Sequence, residues 1–207
     1  MRRVTRVPQT TLKEPPSPER PQRADARRNR DKVLRAARRV MARKGLDAQM
    51  DEIARAAGVG VGTVYRHFPT KDELVRGLAA DRFGRLAELA NEALAKEEPW
   101  DAFCEFIRAA AAIQGEDRAL SEVLVSRPET MREAADGVGI LALTGEIMGR
   151  AQASGDLRPD AEPEDVPMLM CALAGASRNP MSHDERYIGI VLDGLRAPGG
   201  FALTARR

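Results

Sequence analysis

The 207-residue chain is predicted to be all-α: an N-terminal three-helix head built on a helix-turn-helix, followed by a larger C-terminal helical body. Three observations predict this. Apolar residues recur at helical spacing along most of the chain, and no alternating strand pattern persists. Ala, Leu and Arg dominate while aromatics supply only 4% of residues, which favours helices over sheets. Between Met50 and Leu74, two short helical segments flank a glycine turn.

Residues 1–24 contain Pro8, Pro15, Pro16, Pro18 and Pro21, many Arg and Lys, and almost no large apolar side chains. They read as a disordered basic arm, either a solvated tail or an arm that follows phosphates or enters a minor groove. Asp25 can cap a first helix that runs to about Lys44 and is closed by Gly45. Its apolar stripe is Val33, Leu34, Ala37, Val40 and Met41; Arg35, Arg38, Arg39 and Arg43 read as a solvated face.

The next helix begins near Met50, with Ile53, Ala54 and Ala57 on its apolar stripe and Asp51 and Glu52 in its first turn. Gly58 can take the left-handed conformation that ends a helix, and Val59 is placed to fill the angle after it. A third, very short helix from about Gly62 to Phe68 follows, with Gly60 as its N-cap. Val61, Val64 and Phe68 are expected to pack back on Ile53 and Ala57. Pro69 cannot continue it. Thr70 caps the next helix, with Glu73 three residues on as its capping-box partner.

The outward side chains of the third helix are the right size for a major groove, roughly 12 Å wide. Thr63 and His67 can reach base edges, while Tyr65, Arg66 and Lys71 suit phosphates; Gly62 lets the backbone come close. A plain helical corner, with Tyr65 and Phe68 buried and His67 on the surface, is the alternative. The stretch GVGVGTVYRHFPTKDEL closely resembles the DNA-binding signature of the tetracycline-repressor (TetR) family, and the strong resemblance covers about Arg27 to Phe83. Two positions depart from it: the family usually has Ser or Thr where Gly60 stands, and often where Gln49 stands, so both N-caps are expected to be weaker by ~0.5–1 kcal/mol. The resemblance implies that Arg27, Arg28 and Arg30 lie where the first helix meets the DNA backbone.

A long helix from Lys71 to about Lys96 follows, with Leu74, Leu78, Phe83, Leu86, Leu89 and Leu94 at apolar positions, until Glu97, Glu98 and Pro99 break it. The resemblance makes this the helix that connects head to body and sets the distance between the two heads of a dimer. The body then reads as helices at Trp100–Gln114, Asp117–Val125, Glu129–Ala135, Ile140–Ser154, Glu164–Ala176 and Asp184–Arg196. The last two are apolar around much of their circumference and carry Ala172, Ala174, Gly175, Ala176, Gly189 and Gly194. Such faces either bury within one monomer or meet a partner; the resemblance implies a two-fold dimer through a four-helix bundle. The resulting division is an arm (1–24), a DNA-binding domain (25–70), a connecting helix (71–98), a regulatory and dimerisation domain (99–198) and a flexible tail (199–207).

Charge is distributed unevenly. Residues 1–50 hold 15 Lys and Arg against 5 Asp and Glu, while residues 73–207 hold 15 against 23, so a basic front precedes an acidic rear, as suits docking on DNA at one end. Cys104 and Cys171 are too few and too far apart for a disulfide framework or metal cluster, and a reducing cytoplasm is the simple expectation. No signal peptide and no membrane span are expected. An enzyme is not expected: His183 has no nucleophile setting beside it, no His/Glu pairing has metal-ligand spacing, and Gly137–Gly139 is not followed by the residues of a phosphate loop. No cofactor or metal is implied.

Trp100, Phe103, Cys104, Phe106, Ile107, Met131, Met148, Met168 and Cys171 are candidates to line a pocket between helices, with Gln114, Arg127, Thr144, Gln152, Arg178 and Asn179 as polar groups that could orient a ligand. Core packing is the competing reading of each, and that some of them enclose a cavity follows from the resemblance. The expected function is a ligand-responsive transcriptional regulator, a homodimeric repressor that a small molecule releases from a palindromic double-stranded operator. The alternative is a small-molecule-binding or catalytic helical body without specific DNA recognition.

Overall fold

In the computed structural model the described residues are 19–116, 118–176, 184–198 and 202–204. Among them are ten α-helices: α1 (Glu19–Lys44), α2 (Met50–Ala57), α3 (Val61–His67), α4 (Lys71–Leu94), α5 (Pro99–Glu116), α6 (Arg118–Val125), α7 (Pro128–Asp136), α8 (Ile140–Ala153), α9 (Asp165–Ala176) and α10 (Asp184–Leu195). No strand occurs among the described residues; an isolated antiparallel bridge joins Leu157 to Arg196.

The first helix starts earlier than its sequence suggests. Residues 19–24 are helical, so Asp25 lies inside α1 and pairs with Arg28 one turn on rather than capping the end. Pro21 is tolerated because it falls in the first turn, where a backbone N–H has no helical acceptor. Residues 1–18 of the expected arm lie outside the described residues, as do 199–201 and 205–207 of the expected tail.

Local signals place the next three helices. Gly45 and Gly58 take left-handed φ of 55° and 67°. Gln49 heads α2, and its backbone N–H donates to Glu52 Oε2 at 3.2 Å, so a side chain from within the helix compensates for the weaker cap. The Thr70 hydroxyl accepts the Glu73 N–H at 3.1 Å and starts α4.

Two apolar clusters organise the molecule. The first joins α1 (Val33, Leu34, Ala37, Met41), α2 (Ile53, Ala54), α3 (Val64), Phe68 and the start of α4 (Leu74, Val75, Leu78). Leu120, Val123 and Leu124 of α6 belong to it too, with Met131 and Ala134 of α7 packed against it. The second gathers the end of α4 (Ala90, Ala93), α5 (Phe103, Phe106, Ile107), α8 (Ile147, Met148), α9 (Val166, Met170) and α10 (Ile188, Leu192, Leu195). Helix α4 thus runs through both, and α6 buries one face in the head. Polar straps reinforce this junction: Arg38 of α1 pairs with Asp81 of α4, and Arg127, between α6 and α7, with Asp72 in the first turn of α4. Arg38 is therefore not part of a solvated face, and Arg39 donates to the Ala56 carbonyl at 3.1 Å.

Phe68 and α4 meet closely. A Cβ on Gly77 would stand 2.6 Å from Phe68 Cε1 and 3.5 Å from a Leu34 methyl, whereas one on Gly84 would meet nothing within 4 Å. Both glycines are interior to α4, where alanine is intrinsically better by roughly 0.5–1 kcal/mol. The Phe68 ring is buried at 3% exposure and would have to shift to admit the methyl, so overpacking, about 1–3 kcal/mol, outweighs that gain at Gly77 alone. Gly84→Ala is expected to raise the melting temperature and Gly77→Ala to lower it.

The end of α10 is pinned to the turn between α8 and α9. Arg158, almost wholly buried, donates from Nε and Nη2 to the two carboxylate oxygens of Asp160 at 2.6 and 2.9 Å, and from Nη1 to the Gly194 carbonyl at 3.1 Å. The Leu203 N–H donates to Asp160 Oδ2 at 2.8 Å. These donors, the guanidinium first, hold the Asp160 carboxyl well below the usual carboxylate range. Its folded pKa lies below its unfolded one, so the pairing contributes fully above about pH 4 and is lost as pH falls below that. Asp160→Asn is expected to flatten the acid limb of a melting-temperature profile; an unchanged limb would contradict this role.

Candidate nucleic-acid interface and ligand cavity

Helix α3 is only seven residues long, so one turn is enough to anchor it. Val64 is fully buried and Phe68 is 3% exposed. Val61, expected in the core, is 42% exposed: two helical turns cannot bring a third residue under α2, and Val59, packed on the cluster from the preceding turn, fills that angle. The remaining side chains of α3 face away from the core. Tyr65 and Arg66 are exposed, and Thr63 and His67 half-buried. A Cβ on Gly62 would meet nothing within 4 Å, so no contact inside the protein calls for glycine there.

The fold brings the first and third helices to one surface. Arg30 lies over the Phe68 ring, its guanidinium carbon 5.3 Å from the centroid, an arrangement that holds the charge in place through a cation–π contact. The His67 ring is 6.4 Å from that of Phe68 and inclined at 52°. A shallow cleft is lined by Arg30, His67, Phe68, Pro69, Glu73, Arg76, Gly77 and Ala80. Arg76 was not singled out from sequence; it is exposed on the second turn of α4, and only the direction of α4 brings it beside His67. Arg27 and Arg28 are exposed further up α1, and Lys71 is half-buried at the start of α4.

A cavity of about 150 Å³ lies where α4, α5, α6, α7, α8 and α9 converge. Its walls are Arg82, Phe83 and Leu86 of α4; Phe106, Ala110 and Gln114 of α5; Ser121 and Leu124 of α6; Met131 of α7; Ile140, Leu141 and Thr144 of α8; and Val166, Pro167, Met170 and Cys171 of α9. Of the sequence candidates, Phe106, Met131 and Cys171 line it, with Gln114 and Thr144 among the polar ones. Six candidates lie elsewhere. Phe103, Ile107 and Met148 are core residues, fully enclosed by the second cluster. Trp100 packs on Phe103 with ring centroids 5.8 Å apart and has Arg196 over its face. Cys104 is buried, and that burial pushes its thiol pKa up, away from thiolate reactivity. Met168 is 61% exposed on the outer side of α9. Of the other polar candidates, Arg127 pairs with Asp72, Gln152 donates to the Arg158 and Ala161 carbonyls, and Arg178 and Asn179 lie outside the described residues.

Sequence reasoning missed Arg82. It is 7% exposed and donates from Nη1 to Ser121 Oγ at 2.8 Å. Thr144 gives its hydroxyl proton to the Ile140 carbonyl at 2.8 Å, and Gln114 Nε2 donates to the Met170 carbonyl at 3.1 Å. The signal available for Arg82 was its helical phase, four residues after Leu78 on the apolar stripe of α4.

A short glycine-headed helix held at its rear by Val64 and Phe68, with polar and basic side chains outward, defines a helix-turn-helix protein of the DNA-binding class. Sequence comparison gives the family. The profile of bacterial regulatory proteins of the tetR family matches residues 33–78, and that of the SbtR-like transcriptional regulator C-terminal domain matches residues 98–197. A TetR transcription regulatory protein from Mycobacterium vanbaalenii, solved by crystallography, is 40% identical, with 86% of this chain and 100% of that one covered at a TM-score of 0.66. The TetR transcriptional regulator SCO0520 from Streptomyces coelicolor is 31% identical over 82% of this chain and 99% of its own, at a TM-score of 0.63. A protein of Pseudomonas putida, the uncharacterized HTH-type transcriptional regulator TtgW, is 38% identical over 80 residues. That match spans 38% of this chain and 60% of the relative's length. The chain belongs to the TetR family of transcriptional regulators.

Proposed function

We propose that this regulator is a homodimeric repressor that leaves a palindromic operator when a small molecule enters the body. In this reading residues 25–70 are the DNA-binding domain, 71–98 the connecting helix and 99–198 the regulatory and dimerisation domain. Thr63 and His67 read base edges. Tyr65, Arg66, Lys71 and Gly62 meet the phosphate backbone, with Arg27, Arg28 and Arg30 of α1 beside them.

One observation carries the ligand response. Ser121 and Leu124 of α6 line the cavity, and Leu120, Val123 and Leu124 of the same helix are buried in the head's core. A molecule that widens the cavity displaces α6, and α6 cannot move without disturbing the packing on α1 and α4. The effector then binds one arrangement of these helices better than the other, which is what shifts the equilibrium. Dimerisation is supported by α9 and α10, where Met168, Tyr187 and Ile190 are 61%, 38% and 57% exposed, large side chains that a second copy would cover.

The test is binding-site selection from genomic DNA with the full chain at physiological salt. An inverted repeat with half-sites about 10 bp or one multiple apart, recovered by the parent protein, supports the dimeric reader. Enrichment of unrelated fragments only would sink it.

A further inference from the structure

The cavity wall offers hydrogen-bond acceptors. Gln114 of α5 reaches across to α9, its Nε2 donating to the Met170 carbonyl at 3.1 Å. That bond fixes which way the amide is turned, and among the described residues nothing donates to its Oε1. Thr144 of α8 is 4% exposed and gives its hydroxyl proton to the Ile140 carbonyl, so its oxygen has only lone pairs left for a guest. Arg82 shares the wall but is engaged by Ser121 and by further partners in the fold, which leaves the amide and the hydroxyl to meet a ligand. A carboxylate would set oxygen against oxygen at both. An ammonium would find no carboxylate among the described lining residues, and burying a charge without a partner is costly. A neutral hydroxyl donates where the wall accepts.

The remaining wall fixes the rest of the molecule. Phe83, Leu86, Phe106, Leu124 and Met170 are apolar and close over a void of about 150 Å³, a size that holds one benzene-sized body. Two of these side chains are aromatic and one is a thioether, partners that favour a ring. Resting on the reading that this cavity is the effector site, we propose that its ligand is a small neutral phenol. The ring lies among the apolar walls, and the hydroxyl donates to Gln114 Oε1, the stronger of the two acceptors.

Four probes sharing one fluorinated ring test this in the full chain: 4-fluorophenol, its near-isostere 4-fluorotoluene, 4-fluorobenzoate and 4-fluorobenzylamine, titrated at neutral pH and followed by fluorine NMR. The phenol is expected to bind about tenfold more tightly than the toluene, which covers Gln114 Oε1 without giving it a donor, and both charged probes more weakly than the phenol. Gln114→Leu is expected to reverse the order of phenol and toluene, a change that general loosening of the fold would not produce. Gln114 also ties α5 to α9, so the parent series stands on its own should that variant not fold. Ala110→Leu locates the site: Ala110 is 8% exposed on the cavity wall, and the larger side chain there is expected to exclude all four probes. Toluene, benzoate or benzylamine binding as tightly as phenol in the parent, or phenol keeping its lead in Gln114→Leu, overturns the phenol assignment while leaving the cavity as a ligand site. Failure of all four probes to bind, or binding indifferent to Ala110→Leu, removes the cavity from the ligand response altogether and the assignment with it.

Discussion

Phe68→Ala is expected to destabilise the head by about 3–5 kcal/mol and to abolish specific DNA binding. The ring is 3% exposed, lies beneath the Arg30 guanidinium and presses on α4 at Gly77. Its backbone N–H also closes α3 on the Val64 carbonyl at 2.8 Å. Truncation leaves a void between three elements that cannot collapse together, since α1 and α4 are already tied by the Arg38–Asp81 pair. The recognition helix then loses the stop that sets its angle. Thermal melting and DNA binding by the same preparation check both halves; Phe68→Leu, closer in volume, is expected to recover most of the stability. A Phe68→Ala protein melting near the parent and still selecting the same site would show that the ring does not anchor α3.

His67→Ala is expected to leave the melting temperature unchanged while weakening specific binding by about 1–3 kcal/mol. The imidazole is half-buried and lies outside the core cluster, meeting it at the Phe68 ring, so its loss costs recognition more than stability. Arg76→Ala supplies the contrast. A phosphate contact at that exposed position is expected to weaken all sequences alike and to reduce the slope of log affinity against log salt by about one. Equal effects of His67→Ala on selected and random DNA would reassign His67 from base reading to the backbone.

The head was legible because its instructions are local. Gly58, Thr70, Pro69 and the apolar spacing of Ile53, Val64 and Phe68 each act within a turn or two, and each stands where the sequence places it. The start of α1 was not legible, because Asp25 is an equally good cap or i,i+3 partner and only the continuation of helix to Glu19 decides. The cavity was legible in part: Phe106, Met131 and Cys171 were found by residue type, but Phe103, Ile107 and Met148 have the same character and fill the core instead.

By itself the sequence determined an all-helical chain, the order and approximate limits of its helices, and the side chains that α3 turns outward. These follow from periodicity, caps and breakers, which are properties of neighbouring residues. The tertiary structure alone decided that α6 joins the core of the head, that Arg38 and Arg127 strap α4 at two levels, and that Arg82 puts a positive charge on the cavity wall. Those outcomes depend on the angles and offsets at which helices distant in the chain cross. A helical pattern states which face is buried, but the identity of what it is buried against is set by ridge-and-groove fit with partners far away in sequence.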